Sequence, residues 1–216
     1  MGDWKVIYSF ALVSIVAVLA ACASDKKSTR LSGAEQPVSG GSKWGYYSGE
    51  PVTQWNPDGR TMTLLSELRY TDPQGLIWIA PAGSQVDGAS IPRSLWSIMG
   101  GPFEGKYRKA SVLHDVAYEQ HNRPWQDCDR MFYNAMRCSG VSAAEAKTMY
   151  YSLYRFGNHW KFPIKRGKPV KVGGTMVARA IPRAIPANEI NEARDWIRSA
   201  DPPLEQIEQR AEAESH

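Results

Sequence analysis

The pattern of apolar and polar residues in the middle of the chain predicts a small β-region. Residues 61–70 and 75–80 have the composition of two strands, and the Asp72-Pro73-Gln74-Gly75 segment between them predicts the turn of a β-hairpin. The second strand contains a continuous apolar run at residues 76–79. Such a run predicts burial on both faces of the strand.

Helical periodicity follows the hairpin. We predict one helix over residues 107–120 and a second over residues 125–138. A third helix begins at a capping box that starts with Ser142, and it ends near Phe156 with Gly157 as its cap. These three segments form the predicted helical core.

The C-terminal region is predicted to contain one more helix, over residues 188–200. Pro202 and Pro203 stop this helix, and we expect the Glu-rich end of the chain to be frayed. The predicted fold class is therefore α+β. A short β-hairpin region is followed by a helical core of three helices and a C-terminal helix.

The first residues of the chain resemble a bacterial lipoprotein signal. The apolar run at residues 8–21 is shorter than the roughly 20 residues that a membrane span needs, and it suits a secretory signal. It ends in Leu19-Ala20-Ala21-Cys22, which resembles the lipobox. The resemblance implies that Cys22 carries a diacylglycerol and becomes the mature N-terminus. An uncleaved signal anchor and a plain signal peptide are the alternatives.

The predicted domains follow from these boundaries. Residues 1–21 form the signal peptide, and the polar residues 22–43 form a disordered tether. Residues 44–186 form a globular domain, and residues 187–216 form the C-terminal helix and frayed tail. Ala23 and Ser24 follow Cys22 with no Asp immediately after it, which is similar to the sorting pattern of the Gram-negative outer membrane. We therefore expect a lipid-anchored envelope protein that faces the periplasm.

Composition narrows the function classes only slightly. The hydrophobic fraction of 43% is ordinary for a folded domain, and the net charge of +4 is too small to indicate nucleic-acid binding. Cys128 and Cys138 lie ten positions apart in one predicted helix. That spacing separates them by ~15 Å along the helix axis, so we predict that they do not form a disulfide with each other.

A buried acid and a histidine form the predicted site. Asp129 lies on the apolar stripe of the second helix, where an unpaired carboxylate would be costly, so it needs a partner. The short turn between the first two helices predicts antiparallel packing, which makes His114 the natural partner. A carboxylate on one ring nitrogen orients the imidazole as a general base. The alternative is a purely structural pair that ties two helices together.

The stretch from residue 87 to residue 160 resembles the bacterial and phage family called domain of unknown function 1353. The resemblance is carried by Asp-Gly-Ala-Ser-Ile-Pro-Arg at residues 87–93, by the segment that ends in His114-Asp115, and by Asp129-Arg130-Met131-Phe132. It covers about a third of the chain. The resemblance implies no established activity.

The pattern His114-Asp115-x-x-Tyr118 followed by Asp129 also resembles the core of phospholipase A₂. The resemblance implies that His114 is the general base and that Asp129 orients it, with Tyr118 completing the hydrogen-bond network. It also implies that Asp115 binds calcium, near a loop of backbone carbonyls that includes Gly101. The chain departs from secreted members of that family because it lacks their set of disulfides.

Two nearby residues have open interpretations. Asp87 is either a second metal ligand or the cap of the turn at Gly88, because Asp-Gly turns are common. Ser90 would make a serine hydrolase if it were a nucleophile. It lacks the Gly-x-Ser-x-Gly elbow, which favours a turn or capping role.

The sequence therefore predicts an envelope lipoprotein with a possible calcium-dependent site that hydrolyses lipid esters. Its expected partners are the membrane, through lipidated Cys22, and a phospholipid substrate. The alternative is a non-enzymatic envelope or phage-derived binding or structural module. A third interpretation is hydrolysis of another envelope polymer, such as peptidoglycan.

Overall fold

The computed structural model describes residues 42–88, 100–101, 103–161 and 187–215. The predicted signal segment, Cys22, most of the predicted tether and Ser90 lie outside these ranges. Within them, no helix is both long enough and apolar enough to cross a membrane. The fold class is α+β, as predicted, with two small antiparallel sheets followed by a three-helix core and C-terminal helices.

The two sheets have three strands each. The first has the order β1 (Tyr46–Ser48), β4 (Leu68–Thr71) and β5 (Ile77–Ala80). The second has the order β2 (Thr53–Trp55), β3 (Met62–Leu64) and β6 (Gln85–Val86). All pairs are antiparallel.

The prediction of one strand over residues 61–70 is wrong. That segment contributes β3 to one sheet and β4 to the other. Between them the Leu65 N–H donates to the Val52 carbonyl, and the Ser66 hydroxyl donates to the Glu50 carbonyl. These contacts mark the place where the chain passes from one sheet to the other. Composition alone cannot reveal such a change, because both parts are apolar and β-branched in similar measure.

The hairpin between β4 and β5 is confirmed, and Asp72 holds its turn. The Asp72 carboxylate accepts the backbone N–H groups of Gln74 and Leu76, both at 2.9 Å, and the Trp78 Nε1–H at 3.1 Å. Gly75 has a φ of +81°, a conformation that glycine adopts without strain. One buried carboxylate therefore fixes both the turn and the position of a core tryptophan.

The prediction that residues 76–79 are buried on both faces is wrong. Trp78 is buried, whereas Leu76, Ile77 and Ile79 are 45%, 50% and 39% exposed. The reason is that β5 belongs to an antiparallel sheet that packs on the core through one face only. One face of this sheet contributes to the hydrophobic core, and the other is left open.

Five α-helices are described. They are α1 (Arg108–Gln120), α2 (Trp125–Cys138), α3 (Ala143–Phe156), α4 (Ala187–Ala200) and α5 (Leu204–Ala213). The first four agree closely with the predicted helices. A single 3-10 turn precedes α1, and the Ser142 side chain accepts the Glu145 N–H at the start of α3, as predicted.

The core lies where α1, α2 and α3 meet one another and the first sheet. Its largest fully buried side chains include Tyr70, Phe132, Tyr150 and Tyr151. The Tyr47 hydroxyl donates to the Ala135 carbonyl at 2.8 Å, which attaches β1 to α2. Cys128 and Cys138 are both free thiols, which confirms that they do not pair with each other.

The Glu-rich end differs from the expected frayed tail, because it contains α5. Leu204, Ile207 and Ala211 are buried on one face of this helix. Its glutamates meet partners on the core helices, including Glu208 with Arg130 at 2.5 Å. The spacing of three and four residues between these apolar positions indicates a helix in the sequence. It does not show which side chains the glutamates contact.

We predict that acid releases the C-terminal helices before the core unfolds. Burial tends to raise the pKa of Glu214, but hydrogen bonds from Tyr151 and Arg210 and the charges of Arg210 and Arg155 outweigh it, so the pKa is lowered. A hydrogen bond from Lys147, and then its charge, lowers the pKa of Asp201. Both groups therefore stabilise the fold fully above their unfolded pKa values, and the stabilisation is lost as pH falls below about 4.

The measurement is hydrogen exchange by mass spectrometry at neutral pH and at about pH 3.5. We expect amides of α4 and α5 to lose protection at the lower pH while α1 and α2 keep theirs. Glu214→Gln should reduce the pH dependence, since it removes one titrating group. Equal loss of protection in all helices would contradict the prediction.

Candidate functional site

The predicted contact between His114 and Asp129 is present. His114 Nε2 lies 2.9 Å from Asp129 Oδ1, and both side chains are 0% exposed. His114 is on α1 and Asp129 is on α2, and the two helices are joined by a short segment in which His121 has a φ of +47°. The short connection returns the chain directly, so these two side chains face each other.

Tyr118 is the third member of this group. Its hydroxyl donates to the same Asp129 Oδ1 at 2.5 Å, and its ring lies 4.1 Å from the His114 ring. Burial, and then the charge of Asp129, holds the pKa of Tyr118 well above its ordinary value of 10. Tyr118 therefore remains a neutral donor at physiological pH.

The hydrogen bonds define the protonation pattern of the histidine. An ionised carboxylate only accepts hydrogen bonds. With Asp129 ionised, His114 Nε2 carries a hydrogen and donates it. In the neutral ring this tautomer places the proton-accepting lone pair on Nδ1.

The second oxygen of Asp129 makes the arrangement energetically sensitive. Oδ2 is buried and has no hydrogen-bond partner among the described residues. The Phe132 ring, 4.8 Å from the His114 ring, supplies no hydrogen bond. The donors to Oδ1 are therefore the main stabilisation of this carboxylate, and losing one of them would leave a poorly compensated buried charge.

Asp115 points to a different neighbour. It is 8% exposed, and its Oδ2 accepts the backbone N–H of Gly88 at 2.6 Å. Gly88 is itself buried and has a φ of +70° just after β6. Asp115 therefore ties α1 to the chain that leaves the second sheet.

The two remaining predicted ligands also have protein contacts. Asp87 Oδ2 forms a salt bridge with Arg60 at 3.1 Å. The Gly101 carbonyl accepts the Tyr107 hydroxyl at 2.9 Å. Across the described ranges, no three His, Cys, Asp or Glu side chains are grouped to hold a metal ion. A calcium site can consist largely of backbone carbonyls, which such a grouping does not include, so calcium stays a prediction.

Two residues that the sequence did not connect to the site lie against Tyr118. The Trp160 ring packs edge-on at 4.9 Å from the Tyr118 ring, and its Nε1–H donates to the Arg123 carbonyl at 3.0 Å. A Cβ at Gly157 would lie 2.5 Å from the Leu153 carbonyl oxygen and 3.4 Å from the Tyr118 hydroxyl. The sequence predicts Gly157 as a helix cap. It does not indicate that Gly157 lies close to Tyr118, because the two residues are far apart in the chain.

Comparison with known proteins assigns the segment that holds this site to a family. Residues 62–153 match the family model described as "Protein of unknown function (DUF1353)". These residues belong to the DUF1353 family. The matched part runs from β3 almost to the end of α3, so it includes His114, Tyr118 and Asp129.

Two relatives come from Sinorhizobium fredii (strain NBRC 101917 / NGR234). "Uncharacterized protein y4jT" is 43% identical over 138 residues, which cover 61% of this chain and 41% of the relative. "Uncharacterized protein y4iH" is 35% identical over 105 residues, which cover 49% of this chain and 44% of the relative. The chain thus spans less than half the length of either relative. No solved structure matches it.

We predict strong energetic coupling between His114 and Asp129. His114→Ala should lower the free energy of unfolding by about 3 kcal/mol, because Asp129 remains buried with Tyr118 as its donor. The double variant His114→Ala/Asp129→Ala should cost less than the sum of the single variants, by about 1–3 kcal/mol. Urea unfolding of the four proteins measures the coupling. Additive effects would show that the contact contributes little.

Proposed function

We propose that the protein is a lipid-anchored envelope protein that hydrolyses lipid esters, with His114 as the general base. The observation that supports this proposal is the 2.9 Å contact between His114 Nε2 and Asp129 Oδ1, together with the Tyr118 hydroxyl on the same oxygen. The phospholipase A₂ resemblance implied this set of three residues and their contacts. A carboxylate on one ring nitrogen is the usual way to orient a histidine base.

Each residue has a defined part in the proposed reaction. Asp129 holds the His114 ring in one orientation and stabilises the positive charge that the ring gains on taking a proton from water. Tyr118 keeps Asp129 in place through its own hydrogen bond. Calcium has no assigned part in this reaction, because Asp115 Oδ2 accepts the backbone N–H of Gly88.

The proposed anchor makes phospholipid the favoured substrate class. Lipidation of Cys22 would hold the chain at a membrane, since multiple acyl chains give stable anchoring. The tether predicted over residues 22–43 would keep the domain near the lipid surface, on the periplasmic side of the outer membrane. Such a site would need little membrane affinity of its own.

The complete burial of His114 favours a second candidate. A side chain that is 0% exposed meets no substrate unless the surrounding structure opens. In the alternative, the His114–Asp129 pair is purely structural, and the protein is a non-enzymatic envelope or phage-derived module. The two candidates differ in whether His114 takes a proton in a reaction or only stabilises the core.

His114→Gln separates the two candidates. The glutamine Nε2–H can still donate to Asp129, but the amide cannot take a proton. We expect the full-length lipoprotein in phospholipid vesicles to release fatty acid, and His114→Gln to reduce the rate by at least about 100-fold while the protein stays folded. Mass spectrometry of the released lipids measures the rate, and circular dichroism checks the fold.

A matched histidine control is available at His121. Its φ of +47° is tolerated by asparagine, so His121→Asn should leave both the fold and the rate unchanged. If the unaltered protein releases no more fatty acid than His114→Gln does, the hydrolase proposal fails and the structural candidate remains.

Calcium is expected not to stabilise the protein. The Asp115 carboxylate already accepts the Gly88 N–H, and a ligand stabilises a fold only by binding the folded state. Thermal unfolding with millimolar calcium and with chelator should give the same Tm. A higher Tm with calcium that disappears in Asp115→Asn, whose side-chain oxygen can still accept from Gly88, would restore the calcium site.

A further inference from the structure

The first sheet has an outer face that does not contribute to the buried core. The register aligns Tyr46, Thr71 and Ile77 in one row across the three strands, and Ser48, Arg69 and Ile79 in a second row. Directly opposite residues of antiparallel strands point to the same side of a sheet. These two rows are called the outer face below.

The apolar residues of the outer face are large and open to solvent. Tyr46, Ile77 and Ile79 are 39–50% exposed. The opposite face holds Tyr70 and Trp78, which are buried in the core. Hydrophobic residues grouped on one exposed surface are typical of a surface that binds a partner or a membrane.

The free edge of the sheet is covered by a basic residue. Arg123 donates to the Ile77 carbonyl at 3.2 Å, and its guanidinium lies 4.2 Å from the centre of the Trp78 ring. Addition of another strand at this position of β5 would have to displace Arg123. The open part of this sheet is therefore its face rather than the middle of its edge.

Charge around the outer face favours an anionic partner. Lys43 is exposed three residues before Tyr46, Arg69 lies in the second row, and Arg123 lies at the edge. Among the described residues, Glu67 is paired with Arg69, and Asp127 lies within electrostatic reach of Arg123. An apolar surface that includes a tyrosine and has basic residues around it is suited to the interface of an anionic membrane.

The position of the tether connects this face to the bilayer. About 20 residues separate Cys22 from Ser42, where the described chain begins, and β1 follows immediately. The tether that the sequence predicts over residues 22–43 would have a root-mean-square span of about 25 Å. A lipid at Cys22 would therefore hold the strand that carries Tyr46 close to the membrane surface.

We propose that the outer face lies against the surface of the membrane that holds the Cys22 lipid, with Tyr46, Ile77 and Ile79 in the interfacial layer. This proposal rests on the lipid anchor of the proposed function, but not on hydrolysis. It fixes one orientation of the domain at the bilayer. The occupant of the face is lipid rather than a second copy of the chain.

The experiment places a nitroxide label at Ile79→Cys in the full-length lipoprotein, reconstituted in vesicles that contain anionic phospholipid. The variant also carries Cys138→Ala, because Cys138 is partly exposed. Electron paramagnetic resonance compares the collision rates of the label with oxygen, which enters lipid, and with a water-soluble nickel complex. We expect the oxygen-to-nickel ratio at position 79 to be several-fold higher than at a label on Gln209→Cys, an exposed position of α5.

Three outcomes would overturn the proposal, and they are distinguishable. Equal ratios at positions 79 and 209, with Cys22 acylated by mass spectrometry, would overturn the orientation alone. Spin–spin broadening of the position 79 label at low protein density would show that a second copy covers the face. An unacylated Cys22 would overturn both the anchor and the orientation, whatever the result of the hydrolysis assay.

Discussion

The burial of one carboxylate constrains the whole helical core. Asp129 is completely buried, and within the part of the chain that the structure describes one of its oxygens has no hydrogen-bond partner, so the other oxygen must receive strong donors. His114 and Tyr118 provide them from α1, one helical turn apart. Helices α1 and α2 can therefore neither slide nor rotate relative to each other without exposing the charge of Asp129 to an apolar environment. A buried polar group of this kind specifies one packing among the several that apolar side chains would allow.

The domain uses buried aspartates at three of its joints. Asp129 connects α1 to α2, Asp115 connects α1 to the chain after β6, and Asp72 closes the hairpin between β4 and β5. Helix α1 carries partners in two of these joints, at the adjacent positions 114 and 115. Because adjacent helical side chains point about 100° apart, one helix can serve both joints at once. The adjacent residues His114 and Asp115 are thus explained by the two directions in which their side chains point. This holds whether or not the histidine also has a catalytic role.

The parts of the fold that could be predicted are those in which sequence neighbours decide the outcome. The helix bounds, the Asp72 turn and the His114–Asp129 contact follow from periodicity, turn chemistry and a short connection. The errors arise where contacts between residues that are distant in the sequence determine the structure. Ile77 and Ile79 form an apolar run that is exposed because the sheet packs on the core through one face only. Helix α5 depends on basic and tyrosine side chains of α2 and α3, and Asp115 meets Gly88 only because β6 lies beside α1.

The two free cysteines have a consequence for how the chain matures. Burial, and then the neighbouring charge of Asp129, raises the pKa of the Cys128 thiol, and burial also raises the pKa of Cys138. Since the thiolate is the reactive form, both residues resist oxidation once the domain has folded. The core needs no cross-link between them, so its folding does not depend on an oxidising compartment or on thiol oxidoreductases. The period in which oxidants can reach Cys128 is confined to the time before α1 and α2 close over it.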